Sequence, residues 1–136
     1  MNHKILSPEE LGQMSSLALA HLGDAVFELL VRTRLCEEGY AVNGNLHRET
    51  VARVCAPAQA DFIDKILPLL TQEEEAVYRR GRNAHVHAVP KNATHAQYAK
   101  ATGLEALFGM LYLSGQEERI TELFEAGAGK AESHAL

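Results

Sequence analysis

Two carboxylates of this chain lie inside unusually apolar stretches. Asp24 lies between Leu22 and Phe27, and Glu105 lies between Gly103 and Gly109, in the two most apolar segments of the sequence. An ionised carboxylate buried alone costs several kcal/mol, so it needs a cationic side chain, a hydrogen-bond network or a metal ion. Two such groups that meet from different helices would suit a hard cation such as Mg²⁺.

Each carboxylate also has an ordinary interpretation, as part of a structural ion pair or as an exposed position on its helix. A helical glycine costs about 1 kcal/mol against alanine and usually has a packing or access reason. For the glycines beside these carboxylates, that reason is either a close approach of two helices or room for a ligand. Glu28 follows Asp24 by one turn, but it is also spaced for a helical salt bridge with Arg32. His21 precedes Asp24 by one turn and is expected to be an ordinary helix histidine.

The charges are unevenly distributed along the chain. Between Glu75 and Glu105 there is no Asp or Glu, although the segment contains five Lys or Arg residues. Arginines near a helix C-terminus also complement the helix dipole, which is a structural explanation. His85 and His87 could form a metal pair, but no third ligand is nearby. We favour phosphate contacts for the basic segment, and the candidates are Arg79, Arg80, Arg82, Asn83, Lys91 and Lys100.

The elements that position these residues are predicted to be helices throughout. No alternation of period two occurs, and capping boxes at Ser7–Glu10 and Thr71–Glu74 mark helix starts. The sequence predicts an all-α fold of about six or seven helices. The predicted helices begin or end at these signals: Ser15 or Ser16 to Gly39, Leu46 to Val54, Pro57 to Pro68, Thr71 to the Gly81 region, Thr94 to Gly115, and Gln116 to Glu125, with a loop from His85 to Asn92.

Length and composition set the class of protein. The 136 residues, 46% hydrophobic and 23% charged, predict one globular domain over 1–136 with a frayed tail after about residue 127. The net charge of −5 argues against nucleic-acid binding if the charge is evenly spread. Cys36 and Cys55 have no paired spacing, which predicts free thiols in a reducing compartment. We expect a cytoplasmic protein with no secretory leader and no membrane span.

The segment Ser16 to Glu28, which contains Leu-Gly-Asp-Ala-Val, resembles the signature helix of the ribonuclease III family. Leu104 to Gly109 is similar to the second acidic motif of that family. Arg80 to Ala84 and Pro90 to Asn92 resemble its short bacterial members, the Mini-ribonucleases III, which lack a separate double-stranded-RNA-binding domain. The resemblance covers roughly Met14 to Glu125 and implies a homodimeric, all-α endonuclease domain.

The sequence departs from full-length ribonuclease III at three acidic positions. The family has Glu where this chain has Leu17 and Ala20, and Asp where it has Thr102. Of the acidic cluster, Asp24 and Glu105 are retained, and the resemblance makes them the catalytic and metal-binding residues. The Mini enzymes are similarly reduced, so these departures do not imply loss of activity.

The resemblance implies a Mg²⁺-dependent endoribonuclease, with Mn²⁺ as a substitute, that cleaves double-stranded RNA and leaves 5′-phosphate ends. Its family role is maturation of the large-subunit (23S) ribosomal RNA precursor, with a ribosomal protein as a possible partner on that precursor. The alternative is a non-catalytic RNA-binding or ribosome-associated module on the same fold. An all-α protein-interaction domain without an RNA role is a third interpretation, which the acid-free segment disfavours.

Overall fold

The computed structural model describes residues 2–40, 45–84 and 89–130. Within these ranges there are seven α-helices and no strand, which confirms the predicted all-α class. A 3₁₀ turn over Leu67–Leu69 follows the fourth helix. The helices are α1 (Pro8–Gly12), α2 (Ser16–Glu37), α3 (Leu46–Val54), α4 (Ala56–Ile66), α5 (Gln72–Arg82), α6 (His95–Leu113) and α7 (Glu117–Ala128).

The two longest helices, α2 and α6, form the centre of the fold and make its most extensive interhelical contact. Their backbones cross at two glycines. A Cβ atom built on Gly23 would lie 1.6 Å from the Glu105 carbonyl oxygen, and one on Gly109 would lie 2.1 Å from the Leu19 carbonyl oxygen. Any larger residue would force the helices apart, so these glycines set how closely the two helices approach.

The remaining helices pack around this pair. Helices α4 and α5 lie against α6, α3 lies against α2, and α7 packs on α4 and α6. The core contains four phenylalanine rings in mainly edge-to-face contact, and the Phe27 ring lies 5.1 Å from Phe62, 5.6 Å from Phe108 and 5.9 Å from Phe124 between centroids. Edge-to-face packing of this kind stabilises a core beyond simple area burial. The core therefore fixes the backbone positions of α2, α4 and α6.

Local signals in the sequence define most helix boundaries. The Ser7 and Thr71 capping boxes are confirmed, and Thr94 caps α6 through a further capping box with Gln97. Pro68 lies in the 3₁₀ turn that ends α4. The last helix begins at Glu117 and extends to Ala128, three residues beyond the predicted end at Glu125. The residues after 130 lie outside the described part of the chain.

Helix α2 is only partly buried, although its sequence is among the most apolar in the chain. One face packs on α6, but Leu17 and Leu29 are 44% and 51% exposed. Apolar side chains therefore cover the outer face of this helix as well as the inner one. Both cysteines are free, as predicted. No helix among the described residues is long and apolar enough to span a membrane.

Candidate active site

Asp24 and Glu105 meet where α2 crosses α6. Gly23 brings the α2 backbone against the Glu105 carbonyl group, so the next residue, Asp24, projects beside the Glu105 side chain. The two carboxyl groups are close enough to interact, because Asp24 contributes to the raised pKa of Glu105. Asp24 is exposed and Glu105 is half-buried. The crossing thus makes one site from two residues that are 81 positions apart in the sequence (105 − 24).

The electrostatics of this site are those of an unneutralised acidic pair. Burial, together with the charge and hydrogen bonding of Asp24, raises the pKa of Glu105 to about 8. Among the described residues, neither carboxylate forms an ion pair with a Lys, Arg or His side chain. A structural ion pair therefore does not explain either residue. Two carboxylates that face each other without a cationic partner favour binding of an external cation.

The donor set fits a hard divalent ion. Mg²⁺ prefers oxygen ligands and is commonly bound through one or two carboxylates, with water and phosphate oxygens completing its shell. The described residues contain no cluster of three or more His, Cys, Asp or Glu side chains that could hold a metal. At the positions that depart from the family pattern, Leu17 is exposed, Ala20 is buried, and Thr102 donates its hydroxyl hydrogen bond to the Tyr98 carbonyl. The pair is therefore the full set of acidic ligands that these residues offer.

A third polar residue at the site, Gln59, was not predicted from the sequence. It comes from the first turns of α4, is 2% exposed, and its Nε2 lies 3.5 Å from Oε2 of Glu105. Its amide hydrogen bond lowers the pKa of Glu105, against the effects of burial and Asp24. The sequence contains one signal for this residue, because Gln59 is a polar side chain between two alanines in an apolar helix. That pattern does not identify Glu105 as its hydrogen-bond partner.

A cleft of about 540 Å³ opens beside Glu105. Its walls come from the junction of α3 and α4, from the segment before α6, and from α6 itself, and they include Cys55, Gln59, Lys91, Asn92 and Tyr98. The structure therefore places all three residues of the Pro90–Asn92 motif at the same cleft as Glu105. A cation and an amide are suitable groups for contacting a phosphodiester backbone beside the acidic pair.

The other candidate phosphate contacts divide into paired and unpaired residues. Arg79 forms an ion pair with Glu75 one turn earlier, and Lys100 bonds to Asp64 of α4 at 2.9 Å. Both cations are thus partly neutralised within the fold. Arg82 lies over the Tyr78 ring at 5.7 Å and donates a hydrogen bond to Asn83. In the described part of the chain, Arg80, Arg82 and Lys91 have no carboxylate partner.

The remaining polar candidates have simpler positions. Glu28 forms the predicted ion pair with Arg32 at 2.9 Å, which confirms the structural interpretation of that residue. His21 is exposed on α2. His85 and His87 lie outside the described residues, as does the first half of the predicted loop from His85 to Asn92.

Comparisons with known proteins agree with the all-α fold. Residues 17–116 match the Ribonuclease III domain family. A Mini-ribonuclease 3 from Symbiobacterium thermophilum is 51% identical over 82% of this chain and 86% of its own length. A Mini-ribonuclease 3 from a Thermoanaerobacter species is 41% identical over 91% of this chain and 87% of its own length.

A solved structure shows the same architecture. The crystal structure of a protein from Fusobacterium nucleatum is 34% identical and superposes with a TM-score of 0.75, covering 83% of this chain and 90% of that one. The chain belongs to the ribonuclease III family, whose members are endoribonucleases acting on double-stranded RNA. Within that family it is similar over most of its length to Mini-ribonuclease 3 proteins, as the sequence motifs predicted.

Proposed function

We propose that this endoribonuclease cleaves double-stranded RNA in a divalent-metal-dependent reaction at the Asp24–Glu105 site. The observation that carries the proposal is the convergence of these two carboxylates at the crossing of α2 and α6, where no side chain of the described residues pairs with them as a cation. Mg²⁺ is the proposed ion, with Mn²⁺ as a substitute, because both accept an all-oxygen ligand set.

The residues of the chain have separate roles in this proposal. Asp24 and Glu105 hold the ion. When bound, the ion would activate a water molecule and stabilise negative charge on the scissile phosphate. Lys91 and Asn92 contact the RNA backbone from the wall of the cleft. Arg80 and Arg82 extend this contact from the end of α5, where they are exposed. Because A-form RNA is recognised mainly by shape and backbone, a small basic surface is sufficient.

A cleavage assay tests the proposal. The full chain is incubated with a labelled RNA duplex, and separately with either of its single strands, in Mg²⁺ and in excess EDTA. We expect cleavage only of the duplex and only in Mg²⁺, with products that carry 5′-phosphate and 3′-hydroxyl ends. Equal cutting in EDTA would contradict the metal assignment, and equal cutting of the single strand would contradict the duplex assignment.

We also propose that the enzyme acts as a homodimer. The outer face of α2 exposes Leu17 and Leu29, and a hollow of about 310 Å³ between α2 and α7 is lined mainly by apolar side chains, including Leu22, Ala25 and Ile120. A two-fold dimer would cover this face and present one site to each strand of a duplex, whose backbones are related by local two-fold axes.

Sedimentation equilibrium tests the dimer. We expect the wild-type chain to have twice the monomer mass of 14.9 kDa, and Leu29→Glu to shift it towards the monomer. Thr33→Glu is the matched control, because Thr33 is also exposed on α2 and lies outside the apolar hollow. A wild-type chain that sediments as a monomer at micromolar concentration would contradict the dimer.

The proposed natural substrate is the precursor of large-subunit (23S) ribosomal RNA, processed in the cytoplasm, and the proposed partner is a ribosomal protein bound to that precursor. The similarity to bacterial Mini-ribonuclease 3 proteins over most of the chain supports this assignment. Incubation of a precursor transcript with the enzyme, with and without ribosomal proteins, should release a discrete product. Random degradation of the transcript would contradict it.

A further inference from the structure

We infer that Gln59 is a positioning residue that holds the Glu105 carboxylate beside Asp24 in readiness for the metal ion. The inference rests on the proposed metal site and adds to it a residue from a third helix. Gln59 lies 46 positions before Glu105, yet the packing of α4 on α6 brings its Nε2 to 3.5 Å from Oε2 of Glu105.

The burial of Gln59 indicates that its position is specific. At 2% exposure it is among the largest fully buried side chains of the protein, in a set that otherwise consists of Phe, Leu and Ile. A buried amide costs free energy unless its polar atoms have partners. Its only hydrogen bond to another side chain in the described residues is the one to Glu105. A hydrophobic residue would suit this core position better if packing were its only role.

Glu105 needs such a contact because its backbone alone does not fix its carboxylate. The glycine crossing sets the α6 backbone at this residue, but a glutamate side chain has three further torsions. In the ionised site, repulsion between the two carboxylates would turn Glu105 away from Asp24. A hydrogen bond from a rigid, buried donor on α4 selects the rotamer in which both carboxylates face the same point.

An amide is also the right chemical type for this role. A Lys or Arg at position 59 would neutralise Glu105 and compete with an incoming cation. An amide N–H donates to the carboxylate and carries no charge, so the pair keeps the negative charge that attracts the metal. Substitution of a residue that hydrogen-bonds to a direct metal ligand commonly weakens metal affinity by about 10- to 100-fold. Because 3.5 Å is at the long end of hydrogen bonding, we expect the lower end of that range.

Direct Mn²⁺ binding tests the inference without depending on catalysis. The free Mn²⁺ signal in electron paramagnetic resonance is followed during titration of the full-length protein. We expect Gln59→Met, which keeps the side-chain length and removes the donor, to weaken Mn²⁺ binding about tenfold. Gln59→Asn keeps the amide but is one methylene too short, and we expect a similar loss. This second variant covers the case in which the methionine variant does not fold.

Two further variants separate the possible outcomes. Thr50→Val removes a buried hydroxyl on α3 that donates to the Leu46 carbonyl, and we expect this variant to bind Mn²⁺ as the wild type does. Asp24→Asn should lose Mn²⁺ binding. If Asp24→Asn binds Mn²⁺ weakly but a folded Gln59 variant binds Mn²⁺ as the wild type does, the positioning role of Gln59 is contradicted and the proposed metal site is supported. If Asp24→Asn binds normally, the proposed metal site itself is wrong.

Discussion

Glu74 and Glu105 are both helical glutamates with little solvent exposure, but the groups around them shift their pKa values in opposite directions. Glu74 lies at the start of α5, with a side chain 5% exposed, and Arg119 of α7 donates to both of its carboxylate oxygens at 2.8 and 2.9 Å. This guanidinium, with the backbone and hydroxyl groups of Thr71, holds the pKa of Glu74 below its ordinary value. Burial and Asp24 instead raise the pKa of Glu105 to about 8.

The difference shows how glutamate can have a structural role at one position and a functional role at another. At Glu74 the charge is neutralised inside the fold, and the same Arg119 also donates to the Leu69 carbonyl, so the interaction joins α7 to the turn before α5. At Glu105 the charge is left for a partner that comes from outside. Glu74 therefore contributes stability, whereas the ionised Glu105 reduces the stability of the metal-free protein and contributes function.

The largest expected effect is on cleavage. Asp24→Asn and Glu105→Gln each remove a proposed metal ligand, and we expect the rate of duplex cleavage in Mg²⁺ to fall by about 10³-fold or more. Folding and dimerisation should be retained, because an amide replaces each carboxylate with similar shape. Single-turnover kinetics with a labelled duplex measure the rate. Near-normal cutting by either variant would contradict the metal assignment.

Glu74→Gln should show the reverse pattern. It leaves Arg119 without its buried partner, and we expect the free energy of unfolding to fall by about 3 kcal/mol. Cleavage below the melting temperature should remain close to normal. Urea denaturation measures the loss. The matched control is Glu122→Gln, which removes a 66% exposed partner of the same Arg119 and should cost below about 1 kcal/mol. Equal losses for the two variants would contradict the assigned role of Glu74.

The pH dependence of stability should separate the two carboxylates. In metal-free protein the folded state keeps the Glu105 proton up to about pH 8, whereas the unfolded chain releases it near 4.5. Raising the pH through this window therefore destabilises the folded state, by about 2 kcal/mol between pH 5 and 8 once solvent access to the half-buried group is included. Glu74 acts in the opposite direction, because its stabilisation is lost as the pH falls below about 4.5.

Urea unfolding in EDTA at pH 5, 6.5 and 8 measures this contribution, with Glu105→Gln as the control. We expect the variant to lose the decline towards pH 8, and to be at least as stable there as the wild type. A wild-type stability that rises steadily from pH 5 to 8 would show that Glu105 ionises at an ordinary pKa.

The smallest expected effect is on RNA affinity. Arg80 and Arg82 have no carboxylate partner in the described residues, so Arg80→Gln with Arg82→Gln should reduce the slope of log affinity against log salt by about 1 to 2. Catalytically inactive Asp24→Asn is the background for the binding measurement. Lys4→Gln is the control, because Lys4 is exposed and paired with Glu10 outside the basic segment. An unchanged slope of log affinity against log salt would show that Arg80 and Arg82 do not contact the RNA backbone.

Local sequence signals predicted the helices well, because caps, prolines and glycines act within one turn. The Thr71 capping box and the Pro68 stop have the same meaning in the sequence and in the structure. The extent to which α2 is buried is less evident from the sequence. Its apolar residues lie on two faces, and periodicity alone could not distinguish a core face from the outer face that carries Leu29.

The net charge of −5 also shows the difference between what local sequence indicates and what tertiary contacts decide. As a single number it argued against RNA, while the acid-free segment pointed to a basic surface. Tertiary contacts then reduced that surface, because Asp64 of α4 pairs with Lys100 across 36 positions of sequence. No local pattern around Lys100 indicates this, since the partner is on another helix.

The sequence by itself determined the all-α class, most helix boundaries and the two carboxylates in apolar surroundings. These features depend on residue type and on neighbours within a few positions. Only the tertiary structure decided that Asp24 and Glu105 meet, that Gln59 from a third helix contacts Glu105, and that Glu74 is neutralised by Arg119. The physical reason is that a carboxylate's role depends on the charges and donors within a few ångströms of it. Helix packing, and the glycine crossing of α2 and α6 above all, brings those groups together from distant parts of the chain.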